Sequence, residues 1–222
     1  EEEKTIIQTR WDARQATRTN MREVAQKLGM KVPTSTMTFE EANEQRGNPF
    51  FKTKKNYWRE NCQCCVVTNE LRRRGFKVRA MPNKWKKDSI PVQLARHPED
   101  AWIDPKTGQK PTRVQCGGNQ SWPVLKVGTI ESFTQDFNAA TTATGRYFLS
   151  YHPKGSRYGH IITAERLSDG SLRLYDPQDG NIIEWDDLTS EMSISWGAKV
   201  FRVDNLYINT DIIKGAVLPT DV

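Results

Sequence analysis

Apolar positions follow a helical period near the N-terminus and a strand period near the C-terminus. Met21, Val24 and Leu28 stand at helical spacing, which predicts a helix over residues 5–28 with a break at Asn20, where a capping box begins. A second capping box, over residues 38–41, starts a short helix. Because this region has few apolar residues, we predict a helical arm or linker over residues 1–50 and a main domain over residues 51–222.

A third helix is marked at both of its ends. Asn61 is a favourable N-cap, and Gly75 can adopt the left-handed conformation that closes a helix. Three arginines at positions 72–74 complement the negative end of the helix dipole. Residues 76–80 then alternate between apolar and polar, which predicts a strand.

The last third of the chain is rich in strand patterns. Strands are predicted over residues 146–151, 160–166, 171–176, 181–185 and 199–203, and a turn at Ser168-Asp169-Gly170 joins the second and third. Before them, residues 82–123 are rich in proline and predict mostly loops, while residues 132–137 indicate a short helix. Early helices and a late antiparallel sheet predict an α+β fold.

Composition indicates a soluble globular protein. The chain has 222 residues, of which 36% are hydrophobic and 27% charged, enough for one good core. No apolar run approaches the roughly 20 residues of a membrane span, and the acidic start at residues 1–4 is not a signal peptide. The chain begins with Glu1 instead of Met, which indicates a piece of a longer polypeptide.

Basic residues occur in short runs, at positions 52–59, 72–74 and 84–87, and the formal net charge is +6. Such runs are typical of solvated faces. Together they can also steer a protein toward an acidic partner or nucleic acid. Nucleic acid is therefore kept as an alternative partner.

Three of the four cysteines lie between positions 62 and 65, too close on one helix to form useful disulfides. We therefore expect a reducing compartment. Cys62 falls in the first helical turn, where free N–H groups and the helix dipole favour a thiolate. Cys65 shares its face of the helix and is the alternative nucleophile. Zinc bound by this pair, Cys116 and a histidine is a competing interpretation, but the CxxC pair has no second knuckle. We expect no metal and no cofactor.

His160 and Asp176 stand at the start of one predicted strand and the end of the next. If the two strands form a hairpin, imidazole and carboxylate meet at one edge, and Cys62 beside the ring completes a nucleophile, base and orienting group. Each residue also has a structural interpretation, as a buried thiol, a strand-end histidine or a turn aspartate. A second DPxxG turn, at residues 104–108, shows that this motif alone is weak evidence.

The motifs NCQxCV and ELRRRG, followed by GH before an apolar strand, DG, YDPQ and G, together resemble the papain-fold toxin domains, the Tox-PL group. These domains occur at the ends of bacterial polymorphic toxins, and similar segments are attached to head-morphogenesis and minor capsid proteins of phages. The resemblance spans residues 61–180 and implies a papain-like cysteine fold, with the nucleophile helix packed on the antiparallel sheet. It implies a catalytic triad of Cys62, His160 and Asp176. Cys64 and the proline-rich insertion depart from the family pattern.

The resemblance implies a thiol-dependent protein-glutamine deamidase that acts through a thioester. Asn61, Gln63 and Gln178 are candidates for stabilising the oxyanion. A cysteine peptidase or isopeptidase of the same fold is the alternative enzyme, and a non-catalytic virion or nucleic-acid-associated module is the alternative from another class.

Partners and place of action follow from the same resemblance. It implies a protein substrate, with an immunity protein or a larger parent polypeptide as candidate partners. It also implies a cytoplasmic site of action, reached as part of a larger toxin or virion protein. The lack of a long apolar run predicts no contact with a membrane.

Overall fold

A computed structural model describes residues 17–44, 46–53, 55–118 and 126–220. The described chain is mixed α+β, as predicted. Residues 5–16 of the predicted first helix lie outside the described residues. In the described ranges, no helix has both the length and the apolar content to cross a membrane.

The α-helices of the described chain differ widely in length. They are α1 (residues 17–28), α2 (Phe39–Asn43), α3 (Cys62–Arg73), α4 (Ile90–Arg96), α5 (Ile130–Ala140), α6 (Trp185–Glu191) and α7 (Ile213–Ala216). Short 3-10 helices cover Asn56–Trp58, Pro98–Ala101 and Ile194–Trp196. The predicted α2 capping box is present, because Thr38 Oγ1 accepts from Glu41 N–H while the Glu41 carboxylate accepts from Thr38 N–H.

The strands are β1 (Val78–Ala80), β2 (Trp102–Ile103), β3 (Val114–Cys116), β4 (Gly145–Tyr151), β5 (His160–Arg166), β6 (Leu172–Asp176), β7 (Asn181–Ile183), β8 (Ala198–Arg202), β9 (Tyr207–Ile208) and β10 (Val217–Pro219). Six of them form one antiparallel sheet in the order β3-β8-β4-β5-β6-β7, and β1 pairs with β10 as β2 does with β9. The prediction of a strand to residue 185 was wrong at its end, because Trp185 begins α6.

The main sheet is buried on both faces. Phe148 and Leu149 are neighbours on β4 and therefore point to opposite faces. Phe148 belongs to a core that includes Val66 of α3 and Val24 of α1. Leu149 belongs to a second core with Phe137 of α5. Helices thus cover the sheet on each side, and α1 contributes to the same core as α3.

The predicted helix break at Asn20 was wrong. Helix α1 continues through Asn20, whose buried side chain pairs with the backbone of β9. Its Nδ2 donates to Ile208 O at 3.0 Å, and its Oδ1 accepts from Ile208 N–H at 2.9 Å. The amide therefore satisfies a strand edge and does not cap a helix.

The C-terminus of α3 closes as the sequence predicted. Gly75 has φ +100°, and its N–H donates to Arg72 O at 2.7 Å while Phe76 N–H donates to Leu71 O at 3.0 Å. These two bonds form a Schellman motif. A Cβ at Gly75 would also lie 2.1 Å from Ser35 O, so no side chain fits at this position.

The arginine run at the C-terminal end of α3 was predicted to be a solvated face, and this was wrong. Arg72 and Arg74 are buried. Arg74 Nε contacts Glu70 Oε1 at 2.9 Å, and Arg146 Nε of β4 contacts Glu70 Oε2 at 2.6 Å. Arg73 makes two hydrogen bonds to the Glu165 carboxylate of β5, at 3.0 and 2.8 Å. Ion pairs therefore join α3 to two strands of the sheet.

The pKa of Glu70 reports how strongly its two arginines hold the carboxylate. Burial alone would raise this pKa, but the charges and hydrogen bonds of Arg146 and Arg74 lower it to about 2. Glu70 is therefore ionised inside the protein at every physiological pH, and it needs both cations because an unpaired charge there would be costly.

Replacing Glu70 by alanine should lower the free energy of unfolding by about 3–5 kcal/mol, because two cations at the helix–sheet junction lose their anion. Urea unfolding measures the change. Glu23→Ala, on the exposed side of α1, is the matched control and should change stability by about 0.5 kcal/mol or less. Equal stabilities of the two variants would contradict this role of Glu70.

The same comparison has a pH signature. The native pKa of about 2 lies below the unfolded value, which is about 4.3 for glutamate. The stabilisation by Glu70 is therefore fully present above the unfolded pKa and is lost as the pH falls through the native pKa. The stability difference between wild type and Glu70→Ala should shrink over that window.

Candidate active site

Cys62, His160 and Asp176 come together from three elements. Cys62 is the first residue of α3, His160 the first of β5 and Asp176 the last of β6. Strands β5 and β6 are antiparallel neighbours, so the start of one lies beside the end of the other. His160 Nε2 and Asp176 Oδ2 are 2.6 Å apart. The hairpin thus places imidazole and carboxylate together, as the sequence suggested.

Asp176 serves its turn and the histidine at the same time. Its Oδ1 accepts from Gln178 N–H at 2.8 Å. In the second DPxxG segment, Asp104 Oδ1 accepts from Lys106 N–H, also at 2.8 Å. Both segments therefore form the same turn. Only at Asp176 does the hairpin also bring an imidazole, that of His160, to the other carboxylate oxygen.

His160 is largely enclosed, and two side chains control its charge. Burial of the ring would lower its pKa, but hydrogen bonding with Asp176, together with the interaction with Cys62, raises the pKa well above its ordinary value. Since Nε2 is bonded to Asp176, Nδ1 is the nitrogen left for Cys62. A ring that stays protonated beside a thiol stabilises the thiolate.

Cys62 stands where a helix begins, and its side chain is the only one of the four cysteine side chains that is not buried. Its thiol lies 3.5 Å from Gln63 Oε1. The N–H groups of Cys64 and Cys65 both donate to Asn61 O. The N–H groups of Cys62 and Gln63 precede them and have no acceptor within the helix.

The other three cysteines are poorly suited to attack a substrate. Burial raises the pKa of Cys64 and raises that of Cys65 well above the usual range. Burial likewise raises the pKa of Cys116 to about 12. Cys65, the alternative nucleophile, does not line the cleft of Cys62 and faces a separate pocket of about 50 Å³ that Tyr175 also lines. The geometry thus favours Cys62.

The prediction that the Asn61 side chain caps α3 was wrong. No capping bond from this side chain exists, and Asn61 is fully buried. Its Nδ2 donates to Asn48 Oδ1 at 3.2 Å and to Met81 O at 3.1 Å. Asn48 in turn donates to Gln178 O at 2.8 Å. Asn61 therefore ties the start of α3 to the turn that holds Asp176, with both amide protons engaged.

Gln63 and Gln178, the other predicted support residues, both line the cleft beside Cys62. Gln63 Nε2 donates to Pro91 O at 2.8 Å. Gln178 Nε2 donates to Asn61 Oδ1 at 3.4 Å. Each amide has two protons, and each donates one hydrogen bond within the described part of the chain, which leaves the second proton for a ligand.

Cys62 and His160 both line a cleft of about 800 Å³. Tyr151 of β4 pairs with His160 across the sheet, and the two rings meet edge to face, with centroids 5.7 Å apart. Sequence reasoning missed Tyr151 as a support for the imidazole. The sequence did contain a signal for this role, because Tyr151 ends the predicted strand that comes just before the strand of His160.

The competing zinc interpretation has no support in the described ranges, where no three His, Cys, Asp or Glu side chains are grouped to hold a metal ion. Cys64 and Cys65 point into the protein and pack with Ala80. Cys116 lies in the second core, beyond the sheet. The cysteines of the proposed cluster are thus divided between separate cores.

Alkylation should distinguish Cys62 from the other thiols. With iodoacetamide, the native protein should be modified at Cys62 alone, and the three buried cysteines should react only after unfolding. Mass spectrometry of the digested protein locates the modification. His160→Ala should slow the modification of Cys62 by about tenfold or more, because the thiolate loses its imidazolium. Native modification of Cys65 at the same rate as Cys62 would contradict this assignment.

Comparison with known proteins assigns no family to the chain. A scan against models of protein families and a search among curated proteins both found no match. The case for a function therefore depends on the side chains of the site.

Proposed function

We propose that the protein is a thiol-dependent amidohydrolase that deamidates glutamine side chains of a protein substrate. Cys62 is the nucleophile, His160 the acid and base, and Asp176 the group that orients the ring. The observation that carries this proposal is the placement of His160, which bonds Asp176 through Nε2 at 2.6 Å and interacts with Cys62.

The arrangement of elements supports a papain-like fold. The nucleophile begins a buried helix, and this helix packs on an antiparallel sheet that supplies the imidazole and the carboxylate. The chain order is cysteine, histidine, aspartate. The Tox-PL resemblance of the motifs points to the same fold and the same three residues.

In the first half of the reaction, the thiolate of Cys62 attacks the carboxamide carbon of the substrate and forms a tetrahedral oxyanion. His160 then gives its proton to the nitrogen, the carbon–nitrogen bond breaks and ammonia leaves. The acyl group remains on Cys62 as a thioester, and the imidazole is neutral.

In the second half, the neutral imidazole accepts a proton from water as that water attacks the thioester. Collapse of this second tetrahedral intermediate expels the Cys62 thiolate and leaves a glutamate side chain on the substrate. Thiolate and imidazolium are then restored. Throughout both halves, the hydrogen bond from the ring to Asp176 keeps Nδ1 directed at the sulfur.

The oxyanion requires hydrogen-bond donors at the start of α3. The N–H groups of Cys62 and Gln63 have no acceptor within the helix, and the helix dipole adds positive potential there. Among the predicted amides, Gln63 and Gln178 retain a proton for this purpose. Asn61 does not, since its two amide protons are bonded to Asn48 and Met81.

A reducing, cytoplasmic site of action fits this chemistry. All four cysteines are free thiols, and a thiol nucleophile works only while reduced. We infer that the chain acts as part of a larger toxin or virion polypeptide, where an immunity protein is a candidate partner.

Ammonia release from glutamine-bearing proteins and peptides tests the reaction. Cys62→Ala should lower the rate by about a thousandfold or more, because the nucleophile is lost. Cys65→Ala is the matched control and should retain activity, provided that its thermal unfolding shows a folded protein. Equal activity of wild type and Cys62→Ala would refute the assignment. New N-termini without ammonia would instead identify a peptidase.

A further inference from the structure

The cleft beside Cys62 and His160 is strongly basic. Its lining includes five cationic side chains, Arg59, Arg96, Arg113, Arg157 and Lys199. Among the described side chains that line it, Glu60 is the single carboxylate, and Glu60 is hydrogen-bonded to Trp85 Nε1. The cleft therefore carries an excess of positive charge.

Four of these five cations have no acidic partner in the part of the chain that the structure describes, and one of the four, Arg59, is held by a backbone carbonyl. Arg113 pairs with Glu99 at 3.2 Å, and Arg59 donates to Phe51 O at 3.2 Å. Arg96, Arg157 and Lys199 are exposed and make no ion pair with a described residue. Their charges are thus available to a ligand.

Two of these cations, Arg157 and Lys199, lie near His160 on opposite sides. Arg157 precedes His160 in the β4–β5 connection. On the other side, Ile161, Ser150 and Lys199 are register partners across β5, β4 and β8. Two strand spacings make Lys199 about 10 Å from Ile161. An extended peptide covers that distance in about three residues.

The rim of the cleft holds an exposed aromatic pair. Trp85 and Tyr158 are 44% and 59% exposed, and their ring centroids are 5.2 Å apart. Trp85 has φ +53°, a left-handed conformation that is rare for a bulky residue, and its N–H donates to Asn83 Oδ1 at 3.1 Å. Both rings line the cleft and are exposed, so they can pack on an extended chain that binds there.

We propose that the cleft selects a glutamine in an acidic, extended segment of its protein substrate, with aspartate or glutamate about three residues from the glutamine. Arg157 and Lys199 pair with these carboxylates while Cys62 reaches the carboxamide. An acidic peptide is favoured over nucleic acid because it supplies both the negative charge and the carboxamide that a thiol can attack. This proposal deepens the proposed function and depends on it for the reacting group.

Binding to the Cys62→Ala protein tests the selection without catalysis. The probes are fluorescent peptides of equal length that contain one glutamine, with glutamate, serine or lysine three residues to either side. By fluorescence anisotropy at low salt, the acidic peptide should bind about tenfold more tightly than the serine peptide, and added salt should reduce the difference. Equal affinities for the acidic and serine peptides would overturn the proposal.

A charge reversal locates the contact. Lys199→Glu in the Cys62→Ala protein should abolish or reverse the preference for the acidic peptide, and Lys199→Gln should weaken it. Lys214→Glu, exposed on α7 and outside the cleft, is the matched control and should keep the preference. An unchanged preference in Lys199→Glu would contradict the assignment to this cleft. Tighter binding of a single-stranded oligonucleotide that displaces the acidic peptide would instead overturn the choice of an acidic peptide as the ligand.

Catalysis with the wild-type protein separates this proposal from the proposed function. Ammonia release at equal kcat/KM from all three peptides would refute the charge selection and leave the deamidase intact. A tenfold binding preference together with cleavage of the acidic peptide, and no ammonia, would retain the charge selection and refute the deamidase.

Discussion

Helix α3 lies along strand β5, and its attachment at both ends is the constraint that the site depends on. Cys62 at one end interacts with His160, and Arg73 at the other bonds Glu165. Residues 62 and 73 are about 17 Å apart along a helix at 1.5 Å per residue. Residues 160 and 165 are about 17 Å apart along a strand. The two elements therefore match in length between their contacts.

The buried ion pairs fix the position of α3 relative to the sheet. Glu70 contacts Arg146 at the start of β4 and Arg74, the C-cap residue of its own helix. Cys62, Val66, Glu70 and Arg74 are spaced by four and form one ridge of α3. A rotation of the helix that moved Cys62 away from His160 would therefore also separate Glu70 from Arg146. The ion pairs that stabilise the helix–sheet junction therefore also hold the nucleophile in place.

Local signals were sufficient where a residue acts on its own backbone. Thr38 caps α2, Gly75 closes α3, and β5 spans His160 to Arg166 as predicted. The Asp176 turn was also readable, since it repeats the geometry of the Asp104 turn. The hairpin inference then joined His160 to Asp176 because antiparallel neighbours have a defined register.

Residues with distant partners were beyond the sequence. Asn61 looked like a helix cap, but its partners are Asn48 and Met81. Arg72 and Arg74 looked like surface charges, yet their side chains bond backbone carbonyls, among them Ala42 O and Leu206 O. No local sequence pattern predicts that a polar side chain will donate a hydrogen bond to a carbonyl far away in the sequence. In the proline-rich region, β2 pairs with β9 and β3 with β8, and no local pattern shows such distant pairing.

The central claim is that the thiol of Cys62 forms a thioester with a glutamine side chain. The mass of this intermediate can be measured. Wild-type protein mixed with a glutamine peptide is quenched in acid within the first turnover, and the adduct is measured by mass spectrometry. The proposed mechanism predicts an added mass equal to the peptide minus one ammonia, located on Cys62 and absent from Cys62→Ala. An adduct on Cys65, or ammonia release that persists in Cys62→Ala, would contradict it.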